Sequence, residues 1–278
     1  MKIAITGSAG LFGCALVQVF AERHNVFALG RADADITDAG QVRSCFERIL
    51  PEVVIHSAAI RDLDIAEANP AEAFRVNVHG TRNVAEAAHS VGAAVAYIST
   101  DSVFDGQREA PYVETDVAIP PTVYGRTKLR GEQITAQLPR YWNFRVSVLF
   151  GPGKINMIDK VLEAGSRGEE YVAPSDHVGN ATYTLDAART IREVIEAGRC
   201  GTYHVVNQGA VSRLELARRA AEIGGFDPAK VVGKPSSEMG RRAARPKHSV
   251  LLMQALEQAG FALPRAWPDA LEAYIRSR

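Results

Sequence analysis

Three side chains are spaced so that they can serve one reacting atom. Thr100 stands in Ser99-Thr100-Asp101-Ser102-Val103-Phe104-Asp105-Gly106, and Tyr124 and Lys128 share the stretch Tyr124-Gly125-Arg126-Thr127-Lys128. If Tyr124 opens a helix, Lys128 lies one turn further along the same face. The chemistry this suits is delivery of a proton to a carbonyl oxygen as it becomes an alkoxide, with hydride reaching the carbon from a nicotinamide. Tyr124 is the acid in this reading. A free tyrosine has a pKa of about 10, and an acid works best nearer the operating pH, so Lys128 is expected to favour the phenolate. A shift of roughly two to three units corresponds to about 3 to 4 kcal/mol. Thr100 is expected to bond the same oxygen. An isolated Tyr-x-x-x-Lys is most often a buried tyrosine beside a solvated lysine, so its surroundings decide.

Those surroundings begin at the amino terminus. Residues 2 to 6 read as a buried strand that runs into Gly7-Ser8-Ala9-Gly10-Leu11-Phe12-Gly13 and a helical stretch from Cys14 to Phe20. In a strand, turn and helix of this kind the glycines allow a tight turn, close approach of a pyrophosphate and close helix packing, with the phosphates at the helix amino end. Gly7, Gly10, Leu11 and Phe12 are therefore candidate cofactor contacts. The spacing is G-x-x-G-x-x-G, one residue longer between the first two glycines than the common fingerprint. A second strand, Val26 to Leu29, ends at Gly30-Arg31. An acidic residue there holds a ribose 2′-hydroxyl, whereas arginine suits a 2′-phosphate, so Arg31 points to NADPH, with NADH as the alternative.

Pro51 precedes an apolar strand, Val53 to His56, whose carboxyl end carries Ser57-Ala58-Ala59. The small Ala58 and Ala59 let a cofactor lie against the backbone, and His56 reads as a packed strand-end residue. The periodicity predicts one helix from Pro70 to Val91, within which Asn77 and Gly80 are poor choices on propensity and are expected to serve packing or hydrogen bonding near the cleft. A fourth strand, Val95 to Ser99, delivers Thr100. In an open parallel sheet ligands bind beyond the carboxyl ends of the strands, and Gly7, Ala58 and Thr100 all fall there. The polar, proline-rich loop from Asp105 to Pro121 is expected to be an active-site loop or lid, and a fifth strand is expected from Phe144 to Phe150.

From Gly151 the alternation weakens into helical segments at 156–164, 185–197, 212–223, 250–259 and 267–275, with a short strand at 203–206. The expected architecture is α/β, a Rossmann-type doubly wound parallel sheet built from about residues 1–150 with about 178–207 returning to it. A smaller interleaved lobe comprises about 151–177 and 208–278. Arg241, Arg242, Arg245 and Lys247 form a basic cluster that is either a clamp for a substrate diphosphate or a solvated face.

With 278 residues and 46% hydrophobic composition the chain can bury a full core. Its formal net charge of zero gives no general attraction to nucleic acid or to an anionic membrane. The opening has no signal-peptide pattern and no apolar run is long enough to span a bilayer. The three widely separated cysteines suit reduced thiols in a cytoplasmic setting, and no zinc spacing or other metal site is evident.

The chain resembles the extended short-chain dehydrogenase/reductases, and more closely the dTDP-4-dehydrorhamnose reductase family, over nearly its whole length. The resemblance is carried by Thr6-Gly7-x-x-Gly10-x-x-Gly13, Asp35-Ile36-Thr37-Asp38, Asn77-Val78-x-Gly80, Ser99-Thr100-Asp101-x-Val103-Phe104-Asp105-Gly106, Tyr124-Gly125-x-x-Lys128-x-x-Gly131-Glu132 and Arg245-Pro246-x-x-Ser249-x-Leu251. It implies a Rossmann domain that binds NADPH or NADH, a carboxyl-terminal substrate lobe, and reduction of a 4-keto nucleotide sugar; a homodimer is a separate candidate for the assembly. It places the catalytic roles on Thr100, Tyr124 and Lys128, with Lys128 also holding the nicotinamide ribose, and sets Asp35 and Ile36 beside the adenine. Asp101, Ser102, Ser147 and Arg245 are the candidate substrate contacts.

The chain departs from the family pattern at Ser102, at Val148, and at His177 and Ala181, all near the expected sugar position. An epimerase of the same superfamily uses the same tyrosine and lysine. A dehydratase would place a glutamate where Ser102 stands. The chain is also similar to the methionine adenosyltransferase beta subunit, through Val54-Ile55-His56-Ser57-Ala58-Ala59 and Val148-Leu149-Phe150-Gly151, which keeps a non-catalytic, NADP-binding regulatory subunit as the reading from another class.

Overall fold

The computed structural model describes all 278 residues. Six strands, β1 (Lys2–Thr6), β2 (Asn25–Leu29), β3 (Val53–His56), β4 (Ala94–Thr100), β5 (Tyr141–Val146) and, much later in the chain, β10 (Gly201–His204), pair in parallel in the order β2-β1-β3-β4-β5-β10. A parallel sheet covered on both faces needs apolar residues at successive positions. Every residue of β3 and β4 is accordingly buried. Helices α1 (Leu11–Ala21) and α8 (Thr184–Glu196) share one core with one face of the sheet, through Leu16, Phe20 and Ile191. Helices α2 (Ala39–Ile49) and α5 (Gly80–Ser90) cover the other through Phe46 and Val84. Strand order reverses between β1 and β3, which is where an open α/β sheet leaves a crevice beyond its strand ends.

The helix expected from Pro70 to Val91 is interrupted. After α3 (Leu63–Ala68), α4 (Pro70–Phe74) passes through one turn of π-helix, Arg75–His79, before α5. Such turns commonly mark functional positions. This one carries Asn77, whose side chain accepts from Ile60 N at 2.8 Å and donates to Ile60 O and to Thr127 Oγ1 at 2.9 and 3.0 Å. Asn77 thus ties the segment after β3 to α6 (Val123–Thr135), the helix of Tyr124 and Lys128.

The strand expected from Phe144 to Phe150 is also divided. The chain leaves the main sheet after Val146, and β6 (Val148–Phe150) pairs instead with β9 (Ala181–Tyr183) in the smaller lobe. There β7 (Tyr171–Pro174) pairs with β12 (Val231–Lys234), and β8 (Val178–Gly179) with β11 (Val211–Ser212). Helices α7 (Met157–Ser166), α9 (Arg213–Ile223) and α11 (Trp267–Arg276) complete a second core around Phe150, Ile158, Leu216 and Tyr274. The last helix before α11 is short, α10 (Gln254–Gln258), rather than the 250–259 run of the sequence reading. No helix is long and apolar enough to cross a membrane.

The loop from Asp105 to Pro121 is not a lid. Tyr112 inserts into the main core and stacks on Phe104, with centroids 4.2 Å apart. Its backbone N–H donates to Val250 O at 2.7 Å and its carbonyl accepts from Leu252 N at 2.8 Å. Arg108 and Asp116 pair across the loop. An aromatic anchor and main-chain pairing tie it to the carboxyl-terminal segment, and none of its residues lines the cavity.

Candidate active site

A cavity of about 910 Å³ runs along the carboxyl ends of the sheet strands and on between the sheet and the smaller lobe. Its wall contains every residue singled out as a contact: Gly7, Gly10, Leu11 and Phe12; Arg31, Asp35 and Ile36; Ala58 and Ala59; Thr100, Asp101 and Ser102; Tyr124 and Lys128; Ser147 and Arg245.

The first turn explains itself sterically. Gly7 has φ +68°, and a Cβ there would fall 2.6 Å from Ala58 N, so β1 and β3 can meet at the strand-order reversal only through glycine. A Cβ on Gly13 would fall 2.1 Å from Gly7 O, which fixes how closely α1 seats on the turn. Helix α1 has Gly10 as its N-cap with no side-chain cap bond. The first-turn amides at Leu11 and Phe12 thus face the cavity with no side chain competing for them, a ready anion cradle. At the adjoining rim, exposed Arg31 donates from Nε to Asp35 Oδ2 at 3.0 Å. Bonds from the Thr37 amide and hydroxyl to Asp35 Oδ1 hold the Asp35 carboxyl down at about 2. Ile36 packs where a Cβ on Gly80 would come within 2.8 Å of it, so the unfavourable glycine of α5 makes room for this loop. His56 lies wholly buried between the hydroxyls of Thr6 and Thr81, at 2.7 and 3.0 Å, and burial lowers its pKa to about 3. It is a packed neutral residue.

Tyr124 reaches Thr100 because α6 comes very close to the turn after β4. Thr122 caps the helix by accepting from Gly125 N at 3.0 Å, and a Cβ on Gly125 would fall 2.2 Å from Ser102 O. Burial pushes the Tyr124 phenol up to about 12; the Thr100 hydroxyl acts the other way and the Asp101 charge adds to the rise. The ammonium of Lys128, one turn further along α6, is placed by a different ring. Lys128 Nζ lies 3.9 Å from the centroid of the buried Tyr97 ring, a cation–π seat. Burial lowers its pKa to about 7, against the pull of Glu132 one turn on.

Asp101 is enclosed by hydroxyls. Its Oδ1 accepts from Thr100 at 3.0 Å and Ser102 at 3.4 Å, and its Oδ2 from Ser147 at 2.7 Å and Ser249 at 2.8 Å. The division of the fifth strand serves this: Ser147, at the crossing between two sheets, comes to bear on the residue after Thr100. Behind it, Glu132 and Arg145 form a buried two-bond pair at 2.8 and 2.9 Å.

The basic cluster separates. Arg245 and Arg241 line the cavity, and Arg245 is paired with Asp64 at 2.9 Å, which holds that carboxyl at about 2. Arg242 and Lys247 lie off the wall. The sequence reading missed Arg213, which lines the cavity from the first turn of α9. A cation at a helix amino end opposes the macrodipole, and that mismatch is the signal that could have drawn notice to it.

With this geometry in place, comparison with known proteins decides the family. The model described as "RmlD substrate binding domain" matches residues 1–278. The chain belongs to this family. Among relatives of the RmlD family chain, the dTDP-4-dehydrorhamnose reductase of Mycolicibacterium smegmatis is 37% identical over 98% of this chain and 84% of its own length. The solved structure of the dTDP-4-dehydrorhamnose reductase of Clostridium acetobutylicum superposes with a TM-score of 0.95 at 36% identity, over 100% of this chain and 99% of that one. The Bacillus anthracis dTDP-4-dehydrorhamnose reductase, solved in complex with NADP, gives 0.96 at 33% identity over the same shares. The RmlD family chain has the parts such a dinucleotide requires: a glycine turn at the strand-order reversal, an uncapped helix start, and small residues at the end of β3.

Proposed function

We propose that this chain is an NADPH-dependent reductase of a 4-keto-6-deoxy nucleotide sugar. One observation carries the reading: Thr100, Tyr124 and Lys128 line the same cavity as the Gly7 turn, so acid and dinucleotide site face one space. NADPH, when bound, supplies hydride to the keto carbon. Leu11 and Phe12 would hold the pyrophosphate through their amides, Ala58 and Ala59 would leave room for the dinucleotide, and Arg31 would meet the 2′-phosphate.

Tyr124 gives its proton to the oxygen that was the carbonyl, and Thr100 steadies that oxygen. A phenol near 12 carries its proton at neutral pH, and the bound cofactor and Lys128 must then ease its release. Lys128, poised near 7 one helical turn away, has a proton to return to it and a charge to offset the phenolate. In the protein alone the Thr100 hydroxyl gives its one proton to Asp101 Oδ1 at 3.0 Å, and Thr100 turns that proton onto the sugar oxygen when the sugar binds. The test is a panel of nucleotide 4-keto sugars with NADPH and with NADH, followed at the absorbance of the reduced nicotinamide. Stoichiometric NADPH consumption with a dTDP-4-keto-6-deoxy sugar is expected. Interconversion of sugars with no net change in cofactor, or no turnover at all, refutes the reading.

A further inference from the structure

Two polar atoms on the cavity wall are buried without a partner in the protein: Arg213 Nη1 and His177 Nε2. Their residues adjoin, because Arg213 N donates to His177 O at 3.0 Å beside the short β8–β11 ladder. Buried donors are nearly always satisfied, and a charged one left unpaired costs more than a neutral one. Two such atoms on adjoining residues of one wall mark a place made for a group from outside.

Gly179 shows where the guanidinium stands. A Cβ built there would lie 3.2 Å from Ser249 Oγ, 3.5 Å from Ser147 Oγ and 3.8 Å from Arg213 Nη2. Arg213 is therefore next to the two hydroxyls that hold Asp101, the residue after Thr100. It belongs to the reacting end of the cavity. Asp101 attracts its charge but already accepts from four hydroxyls and makes no bond to it. Arginine carries only donors, so its missing partner is an oxygen acceptor. Burial keeps His177 neutral, near 4, so its ring has one donor and one acceptor and suits a hydroxyl, which is both.

We propose that Arg213 and His177 are a sugar-reading pair that binds hydroxyls of the hexose ring at its keto end and so sets which sugar is reduced. The proposal rests on the reductase reading and narrows it to hexoses hydroxylated beside the reacting carbon. Four other guanidiniums line the cavity, on Arg31, Arg61, Arg241 and Arg245; Arg31 is paired with Asp35 and Arg245 with Asp64.

The test is calorimetric binding of dTDP and of dTDP-L-rhamnose to the NADP⁺-loaded protein. In the wild type the rhamnosyl ring should add affinity over dTDP. Arg213→Met should remove that increment, about 10- to 100-fold for a hydrogen bond from a charged donor, while changing dTDP affinity by less than about twofold. Unchanged dTDP binding also shows that the variant is folded. Arg213→Lys, which keeps the charge without the fork, should recover part of the increment. Equal weakening of both ligands, or a wild type that binds dTDP-L-rhamnose no better than dTDP, would overturn the proposal. The reductase reading fails separately, by absence of NADPH oxidation with any nucleotide keto sugar.

Discussion

Replacing Lys128 by methionine should make this protein more stable at neutral pH while abolishing its turnover. Burial takes the ammonium from 10.5 to about 7 in the folded chain. At about 1.4 kcal/mol per tenfold change, that difference destabilises the folded state by about 5 kcal/mol where lysine is charged in both states. The Tyr97 ring, 3.9 Å from Nζ, offsets about 2 kcal/mol of it, the worth of a cation–π contact at a desolvated site. A net gain of about 3 kcal/mol is then expected for Lys128→Met at or below pH 7, because methionine fills similar space without charge. Between the folded pKa and 10.5 the unfolded chain binds the extra proton, so wild-type stability rises as pH increases through that window. The variant lacks the term, and the gap should close toward high pH. Urea unfolding of both proteins at pH 6.5, 8 and 9.5 reads this directly. A variant less stable than wild type at pH 6.5, or a gap that does not change with pH, would refute the argument that the lysine is held against its own solvation.

Tyr124→Phe should lower kcat by about 10² to 10⁴, the usual share of a general acid, with NADP⁺ affinity within about twofold; full activity would remove the acid assignment. Arg31→Ala should weaken NADPH at least about tenfold more than NADH, read as the ratio of KM values, since only the former offers a phosphate to the guanidinium; equal loss would remove the case for NADPH preference. Glu132→Gln leaves the buried Arg145 without its carboxylate and should cost about 3–5 kcal/mol in denaturant unfolding, most of it recovered when Arg145 is also made leucine. A loss below about 1 kcal/mol would show that the pair is not what fixes the floor behind Asp101.

The parts of the site that depend on backbone geometry were legible in the sequence. Glycine at 7 and 13, alanine at 58 and 59, and the one-turn spacing of Tyr124 and Lys128 each constrain the chain locally, and the cavity contains all but Gly13 of them, which packs behind the turn. The parts that depend on distant segments were not. Nothing near Tyr112 announces that its backbone will pair with Val250 and Leu252, so a proline-rich loop read as a lid turned out to be pinned. The break at Ser147 has the same cause, because Val148 to Phe150 finds its partner strand some thirty residues later. The lysine was expected to act on the tyrosine from spacing alone, but the direction of a flexible amine is set by Tyr97, on another element. Asn77 was marked for hydrogen bonding by its poor propensity, although the π turn that carries it has no local signature.

The carboxyl-terminal segment has a consequence for how this protein could be rearranged. Ser249 bonds Asp101, Leu251 and its neighbours pair with Tyr112, and Pro246 sits against Gly106 so closely that a Cβ there would fall 2.4 Å away. The smaller lobe is thus sewn through the sheet half rather than appended to it. A chimera that exchanges residues 208–278 with a relative exchanges the floor under Thr100 at the same time, so grafting a new sugar preference by lobe transplantation should fail unless the 100–112 turn travels with it.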